Sequence, residues 1–115
     1  MTVINELTLV VSTNFSPTPG PRKILEGKFS GEEFRESCLE PKLKEAIEKN
    51  TKLLIDLDGT AGFGTSFLEE AFGGLIRSSE LSPSDALKIL DIQFTRPAYR
   101  RYKDLIIKYI KDART

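Results

Sequence analysis

With 115 residues, of which 39% are hydrophobic and 30% charged, the chain has the size and composition of one ordinary globular domain with a single core. Lysine plus arginine and aspartate plus glutamate both number 17, so the formal charge is zero, which argues against a dedicated nucleic-acid binder. There is no histidine and only one cysteine, Cys38, which excludes Ser-His-Asp and Cys-His nucleophiles, histidine-held metals and an intramolecular disulfide.

In chain order, Leu7 to Ser12 is apolar and β-branched and predicts a first strand. Pro17, Pro19, Gly20 and Pro21 then force a loop, after which Lys23 to Leu25 is expected to return as a second strand, antiparallel to the first. Ser30-Gly-Glu-Glu33 places a hydroxyl three residues ahead of a carboxylate, the signature of a helix start. Pro41 interrupts that helix and is expected to open a second helical piece as its first residue, with Leu43, Ala46 and Ile47 on one face and Asn50 as its end. Cys38 falls on the apolar side near Phe34 and reads as a small buried hydrophobe.

Lys52 to Leu57 is a nearly continuous apolar run, the pattern of a central strand covered on both sides. Gly59, Gly62 and Gly64 turn the chain tightly. Ser66-Phe-Leu-Glu69 predicts a second capping box with Ser66 as the cap, and Phe67, Leu68, Ala71, Phe72, Leu75 and Ile76 recur at helical spacing. Gly73 and Gly74 weaken that helix by about 1 kcal/mol each and predict a close approach to the sheet. Ser82-Pro-Ser-Asp85 starts a helical turn, a strand is expected over Leu87 to Ile92, and Pro97 opens a last helix with Tyr99, Tyr102, Ile106, Tyr109 and Ile110 on one face. The pattern as a whole predicts a single α/β domain over residues 1–115. Asn5 and Glu6 interrupt the first eleven residues, so no signal peptide is expected, no run approaches a spanning helix, and the expected location is cytoplasmic.

Two enzyme motifs nearly form around the glycine loop. Asp56-Leu-Asp-Gly-Thr60 after an apolar strand has the look of a magnesium-dependent phosphatase of the haloacid-dehalogenase type, with Asp56 as nucleophile and Asp58 as acid/base. That chemistry also needs a later lysine and a later acidic pair. Gly59-Thr-Ala-Gly-Phe-Gly64-Thr-Ser66 has the glycine spacing of a phosphate loop, but Thr65 stands where the lysine belongs. Neither reading gives a catalytic set, and no cofactor or metal is expected. Thr65 and Ser66 lie at a helix N-terminus, where free amides and the helix dipole favour a phosphate on either hydroxyl. Residues 96–115 carry seven basic against two acidic side chains, read here as the solvated face of an amphipathic helix rather than a nucleic-acid contact.

The segment Leu54-Ile-Asp-Leu-Asp-Gly-Thr-Ala-Gly-Phe-Gly-Thr-Ser-Phe-Leu-Glu-Glu-Ala-Phe-Gly-Gly-Leu75, with Phe29-Ser-Gly-Glu-Glu-Phe34 upstream, resembles the signature blocks of bacterial STAS-like domains, over residues 20 to 78. The resemblance implies a mixed sheet of about four strands with helices on one face, and kinship in fold with anti-sigma-factor antagonists. In those proteins an Asp-Ser-Ser-Gly turn carries a phosphorylated serine at a helix start. Gly64-Thr-Ser-Phe67 stands in its place, so Ser66 takes the phospho-acceptor position and Thr65 the neighbouring hydroxyl, while Gly64 and Phe67 depart from the pattern. What the resemblance implies is a non-enzymatic module docking a histidine-kinase-type ATPase on a separate chain, or another regulator. The expected docking region is Gly59–Phe72, with Asp58, Gly59, Gly62, Phe63, Gly64, Glu69 and Glu70 as its docking residues; exposure of Phe63 at the loop tip would point to an interface, but exposure is not visible in the sequence.

Overall fold

The computed structural model describes residues 6–113. Strand β1 (Leu7–Val10) leads through one helical turn, α1 (Val11–Asn14), into the proline loop, and a short 3-10 turn follows at Ile24–Glu26. Helix α2 (Gly31–Phe34) continues through a π-helical segment, Arg35–Leu39, into α3 (Glu40–Glu48). After β2 (Leu53–Asp56), α4 (Thr65–Leu68) continues through a second π segment, Glu69–Gly73, into α5 (Gly74–Ser78). Then come α6 (Pro83–Ile89), β3 (Leu90–Gln93), a 3-10 turn at Pro97–Tyr99 and α7 (Arg100–Asp112).

The sheet has three strands in the order β1-β2-β3, all parallel, with Leu7, Leu53 and Leu90 in register and Leu9, Ile55 and Ile92 in the next inward row. The predicted fourth strand is absent: Lys23 to Leu25 does not pair with β1. Pro21 lacks the amide a ladder needs. The amides of Lys23 and Ile24 are taken instead by the carboxylates of Glu26 and Glu32. This wraps the segment into a turn and leaves Leu25 fully exposed. Losing the hairpin turns the expected mixed sheet into a purely parallel one.

The expectation that β2 is covered on both sides also fails. It is the central strand, but Leu53 and Ile55 are buried while Leu54 and Asp56 are only half-buried. Leu9, Leu90 and Ile92 share the buried face, and Thr8, Asp91 and Gln93 lie on the other. The helices therefore pack on one face, as anticipated. Leu90 to Gln93 is extended, but Leu87 to Ile89 belongs to α6. There Ser82 accepts the Asp85 amide and Pro83 supplies the first helical residue, so the helix start captures the following turn.

Ser30 caps α2 by accepting the Glu33 amide. Pro41 does not open a separate helix. The backbone stays helical from Gly31 to Glu48, and the π segment just before Pro41 takes up an extra residue. Widening the turn relieves the ring clash and the missing donor that would otherwise break the helix. Asn50 ends the rod at φ +52°, a left-handed conformation that asparagine tolerates better than most residues. Cys38 is half-buried, with its Sγ 3.8 Å from the Asn14 carbonyl. It is less enclosed than its position near Phe34 suggested.

The core lies between the sheet and the helices. Phe67, Leu68, Ala71, Phe72, Leu75 and Ile76 are all buried, as their spacing predicts, and so are Tyr99, Ile106 and Ile110 of the last helical run. Phe34 and Phe67 join the two helical rods with ring centroids 5.7 Å apart. Among the described residues no helix is long and apolar enough to cross a membrane.

Candidate functional site

The glycine loop leaves the carboxyl end of the central strand. Its course is set by short polar contacts. The Asp56 carboxylate accepts the Asp58 amide at 2.9 Å, and the Thr60 hydroxyl donates to the Leu57 carbonyl at 3.1 Å. Gly59 and Gly62 have φ of +90° and +115°, a region closed to most side chains. A Cβ on Gly62 would also fall 2.7 Å from the Tyr102 hydroxyl.

Three other segments hold the loop. The Ala61 amide donates to the Pro17 carbonyl at 2.8 Å. The Asp58 carboxylate accepts the amide of Thr95 at 2.9 Å and its hydroxyl at 2.8 Å. The Tyr99 hydroxyl donates to the Thr60 carbonyl. Both Thr95 bonds hold the Asp58 carboxyl below its usual range, the amide most, with Arg96 adding a smaller pull. Asp56 and Asp58 are thus used to shape and anchor the turn. Among the described residues, no group of three or more acidic or cysteine side chains is placed to hold a metal ion.

The loop ends at Gly64, which is the N-cap of α4. Ser66 is therefore the second helical residue, and the expected Ser66 cap with Glu69 does not form. Gly64, Thr65 and Ser66 are all exposed, and Leu68 makes the first helical bond, to the Gly64 carbonyl. The amides of Thr65, Ser66 and Phe67 are those a helix start leaves without carbonyl partners. Gly64 has the extended φ, ψ of a cap (−77°, 153°) but no side chain to accept from them, and a Cβ there would meet nothing within 4 Å. Gly64→Ser is therefore expected to raise stability by about 0.5 kcal/mol, read as a higher thermal midpoint.

The other anticipated docking residues are placed differently. Phe63 is not a loop tip. It is 8% exposed, with its ring 5.8 Å from that of Phe67 and 5.2 Å from that of Tyr102. Glu69 and Glu70 are turned away from the exposed rim into an ion-pair network. Glu70 is buried and pairs with Arg35 at 3.0 Å, Lys23 at 3.3 Å and Arg22 at 3.5 Å. Glu69 binds Arg77 at 2.6 Å and Arg22 at 2.5 Å, and Arg35 reaches on to Glu40 at 3.1 Å. The Arg35–Glu70 pair joins the two π segments. Gly73 and Gly74 serve this network rather than an approach to the sheet: a Cβ on Gly73 would fall 2.5 Å from a Glu69 oxygen, and one on Gly74 2.7 Å from Arg35 Nε.

The Glu69 carboxyl is held below its usual range, by Arg77 first, against an opposing push from burial and with help from Arg22. For Glu70, burial is the largest influence and pushes the pKa up, but the hydrogen bonds from Arg35 and Lys23 together outweigh it, so the net direction is down.

Sequence reading missed Thr95, Tyr99 and Tyr102 as anchors of the loop, because their contacts span 37 to 39 or more positions and follow no local pattern. It also missed the arginine network, although the glycine pair marked the place where the guanidiniums enter.

The comparisons with curated proteins and with solved structures gave no significant match. Against known families, residues 30–93 match the family described as a STAS-like domain of unknown function, a span that runs from the Ser30 cap through both helical rods to the end of β3. That span is more than half of the chain and contains both signature blocks from Ser30 onward, so this protein belongs to the STAS-like domain family.

Proposed function

We propose that the protein is a non-enzymatic signalling module that docks a protein partner through the loop and helix start Gly59–Ser66, of which Gly59, Ala61, Gly64, Thr65 and Ser66 are exposed. The partner is an ATPase-type kinase of the histidine-kinase fold, or another regulator, as for the anti-sigma-factor antagonists that the family resembles. The observation that carries this reading is the pairing of a fixed loop with free hydroxyls. Thr65 and Ser66 are exposed at the start of a helix, on a loop tied to the Pro17, Thr95 and Tyr99 segments. A rigid scaffold presenting a small polar rim suits recognition, because little ordering entropy is lost on binding.

The regulation follows from charge. A partner kinase transfers a phosphoryl group from ATP to the Ser66 or Thr65 oxygen, releasing ADP. The resulting phosphate brings roughly −1.5 to −2 charges onto an otherwise neutral rim. The helix dipole stabilises it in place, while any partner surface fitted to a neutral hydroxyl is repelled, which makes the modification a release signal.

The test is incubation with a candidate kinase-type ATPase and ATP, followed by intact-mass analysis and binding measurements. The expected result is one added phosphate, localised to Ser66 or Thr65 and absent in the Thr65→Ala/Ser66→Ala double variant, with weaker binding of the Ser66→Asp form. No binding and no modification would defeat the proposal.

A further inference from the structure

The end of the sheet that carries the docking loop also carries three arginines of an unusual kind. Arg22, Arg35 and Arg77 each pair with a glutamate. Arg96, Arg100 and Arg101 do not: among the described residues none of them lies within ion-pair distance of a carboxylate, and all three are exposed. Each is held over an aromatic ring instead. The guanidinium carbon of Arg96 is 5.5 Å from the Tyr99 centroid, that of Arg100 5.7 Å from Phe94, and that of Arg101 5.3 Å from Tyr102. Such contacts occur about once per 70–80 residues, so three within residues 94–102 is a local concentration.

Their position is costly to the fold. Arg100 and Arg101 open α7, whose first turn has no acidic residue, and cations at a helix N-terminus oppose the dipole. At the other end of the same helix Lys111 lies in the last turn, where the dipole favours a cation. The basic cluster is therefore more than a solvated face.

Tyr99 and Tyr102, which carry two of the guanidiniums, are the residues that touch the loop: Tyr99 through Thr60, and Tyr102 through Phe63 and Gly62. The arginine-bearing segment and the loop are thus packed against each other through buried contacts.

We propose that Arg96, Arg100 and Arg101 are a preorganised binding ridge for a carboxylate-rich segment of the docking partner. The inference rests on the docking reading above and supplies its chemistry. Each guanidinium is held near a ring and has no carboxylate within ion-pair distance among the described residues, and a guanidinium can donate two parallel N–H bonds to one carboxylate. A single-stranded nucleic acid is a poorer fit, because the chain has no net positive charge and one of the three rings, Tyr99, is buried.

The experiment is a titration of the whole protein with poly-L-glutamate and, separately, with poly-dT, read by fluorescence anisotropy of the labelled probe and by the Nε–Hε NMR signals of the arginines. Poly-L-glutamate is expected to bind and to shift those three signals. The triple variant Arg96→Lys/Arg100→Lys/Arg101→Lys keeps the charge, yet it is expected to bind about tenfold more weakly, the effect of losing a charge-assisted bond. The distal Lys108→Gln/Lys111→Gln variant is expected to bind as the wild type does. Binding unaffected by the arginine changes, tighter binding of poly-dT, or no binding of poly-L-glutamate overturns the ridge. If the ridge binds poly-L-glutamate but no ATPase docks, the docking reading has failed and the ridge has not. If the ATPase docks and poly-L-glutamate does not bind, the reverse holds.

Discussion

Glu70→Ala is expected to destabilise the protein by about 3–5 kcal/mol, which is a large fraction of the roughly 5–15 kcal/mol that holds such a domain together. The Glu70 and Arg35 side chains are 6% and 11% exposed. Removing the carboxylate leaves a guanidinium enclosed between two helical rods without its main counter-charge. Lys23 and Arg22 are much more exposed, and their shares are small because water screens them. The measurement is urea unfolding followed by circular dichroism. The double variant Arg35→Met/Glu70→Met removes both charges and is expected to recover most of the loss, since a well-packed apolar pair replaces a desolvated ionic one. A loss below about 1 kcal/mol for Glu70→Ala would show that the pair is effectively solvated.

The same network sets an acid limit. The Glu69 and Glu70 carboxyls are both held below their unfolded range, so between the native and unfolded pKa values the unfolded chain binds more protons. Their contribution to stability is therefore complete above about pH 5 and is lost as the pH falls through the native pKa values, starting near the unfolded glutamate value of about 4.3. In Glu70→Gln this acid-side decline is expected to be shallower, which unfolding midpoints measured from pH 7 down to pH 3 would reveal.

The second large effect is expected for Phe67→Ala, at about 3–5 kcal/mol. Phe67 is 1% exposed, and its ring meets those of Phe34, Phe63 and Phe15 at 5.7, 5.8 and 6.3 Å. It ties the helix start to the loop before it and to both neighbouring segments. The resulting cavity lies beneath the proposed docking rim, so the loop is expected to loosen before the rest of the fold. Limited proteolysis should then cut within residues 58–64 at denaturant concentrations where the wild type is intact. Uniform weakening, with no preferred cut in the loop, would mean that the ring supports the core generally and not the rim.

Most of the helical packing was legible in the sequence because one residue's burial is announced by its periodic partners. The Phe67 to Ile76 face and the Tyr99 to Ile110 face follow from spacing alone. The caps at Ser30 and Ser82 also follow from local chemistry. What was illegible depends on which of several competing groups takes each amide, and on contacts far along the chain. Lys23 to Leu25 has strand character, but carboxylates from Glu26 and Glu32 claim its amides. Ser66 has cap chemistry, but the chain enters the helix two residues earlier, with Gly64 as the cap. Whether Phe63 is exposed was not legible, because Tyr102, from a helix far along the chain, covers it. The glycines of the Gly59–Gly64 turn were legible as a tight connection between strand and helix, and two of them take positive φ. Which of its side chains face solvent was decided by residues 94 to 102, which carry no local mark of that role.

The all-parallel sheet has a kinetic consequence. Leu7 pairs with Leu53 and Leu53 with Leu90, so each ladder must close across 46 and 37 positions of chain, with a helical crossover inside. Among the described residues no tight hairpin exists in this sheet to nucleate pairing, and the loop-closure entropy is lost before any ladder bond forms. The local helices, and the contact of Phe34 with Phe67 between them, are the elements able to form first. Folding should therefore be limited by the docking of strands onto a preformed helical pair. Substitutions in Leu53 or Ile55 are then expected to act mainly on the unfolding rate, and those in the helix contact on the folding rate.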